Sequence, residues 1–381
     1  MTSEFAVRKI YLDYNASTPI ASVVADAMRA VLGDGYGNPS SLHWAGMPAK
    51  ATLERARAQV AELLRCLPEE IVFTSGGSEA NNAALKGAFF ASTKARRHII
   101  TSAIEHPAIV EPCRFLQRLG AEITWLRVDG TGRVDPDDLR RAVTTNTILA
   151  SIMHANNEVG TIQPIAECAA VAHEYDIPFH TDAAQSVGKK ETEVDVLGVD
   201  LLSIAGHKFY APKGIGALYI RNGTKLEPFV HGAGHEQGRR AGTESALLCA
   251  ALGAACGLVA DLTPMRRVQA LRDRLWDLLR ERFGALVVRN GHSEHVLPNT
   301  LNVCFVGHDG GALLGRLAGV AASTGSACHE GSVELSPVLS AMGVSEEVGM
   351  GAIRFSLGRD TTAEEIELVV SMLADALVTV R

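Results

Sequence analysis

Between residues 70 and 260 the chain alternates short β-branched runs with stretches of helical spacing, and that alternation leaves few folds open. Glu70-Ile71-Val72-Phe73-Thr74 leads into a helix starting near Ser78, and His98-Ile99-Ile100-Thr101 leads toward one after His106-Pro107. Thr147 to Ile152, Ile177 to Thr181 and Leu201 to Ile204 are further strand candidates. This order argues for an α/β fold, a mostly parallel sheet with helices on both faces. In such sheets ligands bind beyond the carboxyl ends of the strands, so chemistry is sought just after each apolar run.

The pattern changes after Asp261-Leu262-Thr263-Pro264, where a long charged amphipathic helix, Arg266 to Phe283, is followed by short strands. A single core stops growing at roughly 250–300 residues, and this chain has 381. Two domains are therefore expected: a large one over 16–262, and a small α+β one built from 1–15 and 263–381. The most apolar stretch, Ser245 to Ala260, is shorter than the ~20 residues a membrane span needs and reads as a buried helix. Met1 to Phe5 lack the basic-then-apolar pattern of a signal peptide. The net charge of −7 argues against a general nucleic-acid surface. Seven scattered cysteines, without CxxC spacing, point to a reducing compartment, by default the cytoplasm, with neither a disulfide framework nor a zinc site.

Three strand ends carry candidate chemistry. Thr74-Ser75-Gly76-Gly77-Ser78-Glu79 joins a strand to a helix through two glycines, and the free N–H groups of a helix start suit a phosphate. A plain Ser N-cap after a glycine turn would read the same way. Phe179-His180-Thr181-Asp182 ends an apolar strand in a carboxylate suited to a buried cation, or to capping another helix. Ser203-Ile204-Ala205-Gly206-His207-Lys208 ends one in a lysine, which desolvation would make nucleophilic; a lone strand-end lysine is usually just solvated. Together the three match pyridoxal 5'-phosphate, which needs a phosphate site, a carboxylate on its pyridinium nitrogen and a lysine for its aldehyde. The 26 residues from Asp182 to Lys208 fit adjacent strands of one sheet.

At these positions the chain resembles the NifS/IscS-type cysteine desulfurases, a branch of the fold-type-I pyridoxal-phosphate enzymes. The likeness runs almost end to end. It includes Tyr11-Leu12-Asp13-Tyr14-Asn15-Ala16-Ser17-Thr18-Pro19, Gly37-Asn38-Pro39-Ser40-Ser41, Glu105-His106 and Ala155-Asn156-Asn157-Glu158-Val159-Gly160. It continues with Asp182-Ala183-Ala184-Gln185, Gly206-His207-Lys208, Arg239-Arg240-Ala241-Gly242-Thr243, Ser326-Ala327-Cys328 and Ile353 to Arg359. The resemblance implies that Lys208 holds the cofactor and moves the substrate proton, that Asp182 pairs with the ring nitrogen, and that His106 stacks on the ring and helps move protons. It places Asn157 and Gln185 near the phenolic oxygen, and Gly77, Ser78 and His207 on the phosphate, with Thr243 reaching in from the second subunit of a homodimer. Asn38 and Arg354 are implied for the substrate; a guanidinium grips a carboxylate bidentately.

Cys328 is the implied nucleophile. Its surroundings, Ser323 to Ser332, are small, polar and glycine-containing, which reads as a mobile exposed loop, and His329 beside it favours thiolate. The other six cysteines read as small buried hydrophobes. The implied reaction turns L-cysteine into L-alanine and leaves sulfur on Cys328 as a persulfide, to be passed to an acceptor or scaffold protein for iron–sulfur clusters or other sulfur compounds. Selenocysteine lyase, acting on L-selenocysteine, is the alternative, suggested by Cys328-His329 and Ser336-Pro337-Val338-Leu339. A class V aminotransferase or a cysteine-independent β-lyase is a more distant one. Two departures from the family stand out. Ala205 occupies a position where many relatives carry a hydroxyl, and Val380-Arg381 follows soon after the last helical pattern, where scaffold-feeding relatives continue.

Overall fold

The computed structural model describes residues 8–324, 326–329 and 332–378. Its strands, in chain order, are β1 (Ile10–Tyr11), β2 (Ile71–Thr74), β3 (Arg97–Ser102), β4 (Ala121–Leu126), β5 (Thr147–Ser151), β6 (Phe179–Asp182), β7 (Leu201–Ala205), β8 (Gly216–Ile220), β9 (Val287–Asn290), β10 (Thr300–Phe305), β11 (Val320–Ala321), β12 (Ser323–Thr324), β13 (Ser326–His329), β14 (Ser332–Leu335) and β15 (Ala352–Ser356).

Seven of them form one sheet in the order β2-β8-β7-β6-β5-β3-β4. Every pairing from β7 to β4 is parallel, while β8 runs antiparallel to both of its neighbours. Strands β5, β6 and β7 are buried at every position, as expected of parallel strands covered on both faces. Helix Ala246–Val259 follows from its composition. Alanine, glycine and cysteine on several sides let it bury most of its surface, and it packs against helices Ser22–Leu32 and Met47–Leu64.

A second sheet, β12-β15-β10-β9, is antiparallel throughout. Its core joins Leu301, Val303, Ile353 and Phe355 to Val268, Leu275 and Leu279 of helix Thr263–Phe283 and to Val369 and Leu373 of helix Ala363–Val378. Ile10 and Leu12 belong to this core too, because β1 pairs in parallel with β11 and Asp13 bridges to Ser356. The chain then turns at Asn15 and enters the first sheet's territory. Among the described residues no single helix is long and apolar enough to cross a membrane.

The topology brings the carboxyl ends of β6 and β7 side by side and points helix Gly77–Ala91 at them by its N-terminus.

Candidate active site

The turn between β2 and helix Gly77–Ala91 lies pressed against the ends of β7 and β8. Gly76 has φ +150°, a value that side chains rarely adopt. A Cβ on Gly77 would lie 3.0 Å from the Ala205 Cβ, and one on Gly216 would come within 2.8 Å of the Gly76 Cα. Only glycines permit this approach, and its result is a helix start whose first N–H groups have no acceptor in their own helix. Gly77 and Ser78 line a cavity of about 410 Å³, a size common for small-molecule sites.

Asp182 ends β6 and is buried. Its Oδ1 accepts from the Ala184 N–H at 2.9 Å, and its Oδ2 accepts from Asn81 Nδ2 at 2.6 Å. Asn81 stands one turn along the helix from Gly77, so the element that offers N–H groups also fixes the carboxylate. Lys208 lies in the tight turn Gly206–Lys208 that follows β7. Its Nζ donates to the carbonyl oxygens of Asn15 at 2.8 Å and Ala16 at 2.9 Å. Burial, and after it the Arg354 charge, bring this amine down to about 8, with Asp182 and Asp13 opposing and Lys213 adding slightly. Near neutral pH a useful fraction is therefore free base.

His106 caps helix Pro107–Arg118, its Nδ1 accepting from the Ala108 N–H at 3.0 Å. A backbone N–H can only donate, so the proton of the neutral ring sits on Nε2. Burial lowers the His106 pKa against the pull of Asp182, and Lys208 lowers it further, which keeps the ring neutral. His207 is brought down to about 4 by burial first and by Lys208, Lys213 and His106 after it. Its Nδ1 is buried without a partner among the described residues.

Arg354, on β15, is buried yet lines the same cavity. Its Nη2 donates to Asp13 Oδ1 at 2.7 Å and to Ser323 Oγ at 2.9 Å, and its Nη1 to the Asn157 carbonyl at 3.0 Å. The Nε is buried with no acceptor among the described residues. Gln185 has both ends of its amide engaged: Nε2 donates to the Asn15 carbonyl at 3.0 Å, and Oε1 accepts from Lys189 Nζ at 3.0 Å. Burial pushes Lys189 down to about 7, with Lys208 and Arg354 adding to the shift.

Asn15 connects these groups. Its Oδ1 accepts from Lys189 Nζ and Asn299 Nδ2, its Nδ2 donates to Thr300 Oγ1 and the Asn157 carbonyl, and its N–H donates to Ser356 Oγ. Residues of both cores thus meet at the carbonyl that holds Lys208.

Of the residues singled out in the sequence, Gly77, Ser78, His106, Asn157, Asp182, Gln185, His207, Lys208 and Arg354 line one cavity. Asn38 and Thr243 do not: both are exposed, and Asn38 Oδ1 accepts from the Ser40 N–H of its own turn. The stretch around Cys328 departs from the expected loop. Residues 326–329 form β13, paired antiparallel with β14 so that Cys328 faces Val333. Its residues, Ser326-Ala327-Cys328-His329, carry little strand signal of their own, and pairing with β14 sets the backbone. The Cys328 side chain lies outside the described residues. Cys113, Cys168, Cys249, Cys256 and Cys304 are buried and Cys66 half-buried, and burial pushes the Cys66, Cys113 and Cys168 thiols up to about 12. Sequence reasoning assigned no role to Asn15, Asn81 or Lys189. Asn15 falls inside the Tyr11–Pro19 stretch, and Asn81 lies two residues past the Thr74–Glu79 turn, where an asparagine near a glycine turn was the available signal.

These groups fit pyridoxal 5'-phosphate. The helix start and the partnerless His207 Nδ1 suit its phosphate, the braced Asp182 its ring nitrogen and the low-pKa Lys208 its aldehyde.

Residues 10–369 match the family model described as aminotransferase class-V. The cysteine desulfurase IscS of Dictyoglomus turgidum is 48% identical over 370 residues, covering 96% of this chain and 94% of that protein. A solved structure described as a NifS-like protein superposes with a TM-score of 0.92 at 34% identity, covering 98% of this chain and 100% of the other. Another, described as SspA in complex with cysteine, gives 0.84 at 38% identity, covering 93% and 100%.

Proposed function

Because this chain belongs to the aminotransferase class-V family, we propose that it is a pyridoxal-phosphate cysteine desulfurase that converts L-cysteine to L-alanine and carries the sulfur away on Cys328. The observation that carries this reading is the convergence of Lys208, Asp182 and His106 on one cavity in a chain alignable with cysteine desulfurases along nearly its whole length.

Bound pyridoxal phosphate supplies an electron sink for the α-carbon of an amino acid. The residues of this chain do the rest. Gly77, Ser78 and His207 would hold the phosphate, and Asp182, braced by Asn81 and Ala184, would keep the ring nitrogen protonated. His106, neutral with its hydrogen on Nε2, would lie beside the ring, and Asn157 and Gln185 would serve its phenolic-oxygen side. Arg354 takes the substrate carboxylate, Asp13 and Ser323 setting the plane of its guanidinium, with Asn38 assisting at the substrate. Lys208 moves the α-proton, for which a pKa brought down to about 8 is well placed. The Cys328 thiolate then attacks the substrate sulfur. An S–S bond forms as the C–S bond breaks, and the electron pair left on carbon takes up a proton to give alanine. The persulfide passes to an acceptor protein that builds iron–sulfur clusters or other sulfur compounds.

We place the division of labour at 16–262 for the cofactor domain and at 1–15 with 263–381 for the domain carrying Cys328. The protein acts as a homodimer in which Thr243 completes the partner's phosphate site; its exposure, away from its own cavity, supports this. A reducing, cytoplasmic setting suits a working thiol. The relatives matched do not favour selenocysteine lyase. The test is to assay the purified protein on L-cysteine and L-selenocysteine side by side, without a keto acid. Alanine should appear in step with released sulfur, and borohydride reduction should leave the cofactor on Lys208. An adduct on Lys213, or a requirement for a keto acid, refutes the reading.

A further inference from the structure

The segment that leads to Thr243 adopts a costly backbone. In the turn His235–Gly238, Glu236 (φ 50°, ψ 40°) and Gln237 (φ 59°, ψ 33°) both lie in the left-handed region. Side chains avoid this region, and two successive residues there persist only when the surroundings hold them. Here the Glu236 side chain supplies the hold. Its buried carboxylate receives the Arg57 fork, Nη2 to Oε1 at 2.5 Å and Nη1 to Oε2 at 2.8 Å, and Oε2 also accepts from the Phe73 N–H at 2.9 Å. Arg57 is itself fixed, donating to the Ile71 carbonyl at 2.6 Å and lying 4.7 Å from the centre of the Phe73 ring.

Ile71 and Phe73 belong to β2, the strand that delivers the Gly76-Gly77 turn. Glu236 therefore ties its own strained turn to the strand under the phosphate site. Beyond it, Arg239 Nε donates to the Glu236 carbonyl at 3.3 Å, Arg240 Nε pairs with Glu79 Oε1 at 2.9 Å in the first turn of helix Gly77–Ala91, and the Gly242 N–H reaches His235 Nδ1 at 3.3 Å. Thr243 comes next. A buried fork-to-carboxylate pair adds little net stability over an apolar pair of the same shape, but it specifies geometry closely.

We propose that Glu236 is a positioning residue for the cofactor's phosphate, acting through Thr243, because the Arg57–Glu236 pair holds the strained turn that presents Thr243 to the partner subunit. The proposal rests on the reading that Thr243 serves a second subunit's site. A double-mutant cycle on pyridoxal-phosphate dissociation from the full-length holoprotein tests it. Loss of one hydrogen bond to the phosphate makes Thr243→Ala release the cofactor about ten- to a hundredfold more readily. Glu236→Gln, which breaks the fork, loosens it to a similar degree. The double variant binds as Thr243→Ala does, since nothing remains to be positioned.

If the double variant shows the product of the two single effects, Glu236 acts independently of Thr243 and the proposal is wrong, as it also is if Glu236→Gln alone binds as tightly as wild type. Wild-type affinity in Thr243→Ala overturns the shared-site reading and this proposal with it. Where Glu236→Gln does not fold, Arg57→Lys, which keeps the charge and loses the fork, takes its place with the same outcomes. A general loosening of the fold is distinguishable, because it weakens binding equally with and without Thr243.

Discussion

The amine of Lys208 should titrate near pH 8 in the cofactor-free protein, and two neighbours should move it in opposite directions. An ordinary lysine titrates near 10.5, and at pH 7.5 only about one in a thousand is free base. At about 8, the fraction is about a quarter, a gain of two orders of magnitude in nucleophile. Burial is the largest cause, and the Arg354 charge is next. Arg354→Gln removes that like charge and should raise the midpoint. Asp182→Asn removes an opposing charge and should lower it. Pulse labelling of the cofactor-free protein with an acetylating reagent across pH 6 to 11, followed by peptide mass spectrometry of Lys208 with Lys225 as internal standard, reads all three midpoints. A wild-type midpoint near 10.5, or a shift of both variants in one direction, would refute the electrostatic account of this site.

Cys328→Ser should bind cofactor and L-cysteine yet release little sulfide, whereas replacing Cys66, Cys113, Cys168, Cys249, Cys256 or Cys304 should leave turnover within a few-fold; sulfide assays with spectral titration separate the two steps. Ala205→Ser, which returns a hydroxyl beside Gly77, should slow cofactor loss on dialysis by up to about tenfold. Faster loss would mean the site is already filled. Acid should destabilise the fold through His154 and His180, buried neutral and brought down to about 4 and about 3. The unfolded chain binds these protons and the folded chain does not, so stability is fully present above about 6.5 and falls below it, by up to ~1.4 kcal/mol per pH unit for each ring. Urea midpoints measured from pH 7.5 to 5 check the slope, and a flat profile contradicts it.

Much of this site could be read from the sequence because parallel strands are short and buried on both faces. Thr147 to Ile152 and Leu201 to Ile204 announce themselves as apolar runs, and the residue at the end of each run is placed by topology alone. That is how Asp182 and Lys208 fell at the carboxyl ends of neighbouring strands, and the cavity followed. Strand β8 was harder to see, because Gly216 and Ala217 carry no β-branched signal and are there for close approach to Gly76. Asn81 and Asn15 were invisible as supports for another reason: an asparagine acts here through partners 101 and 285 positions away, which no local pattern encodes. The strand at 326–329 was read as a loop because its residues are small and polar, while pairing with β14 decides its backbone.

Asn15 also sets an order of events in the life of the chain. It is made nearly three hundred residues before Asn299 and Thr300, and before Ser356, the residues that grip it. The large sheet can be assembled from residues 71 to 220 while synthesis continues. Until Asn299, Thr300 and Ser356 emerge, their hold on the Asn15 side chain and N–H, beside the carbonyl that receives Lys208, is missing. A chain cut short before Asn299 therefore lacks the side-chain grip on Asn15, the residue whose carbonyl receives Lys208 Nζ.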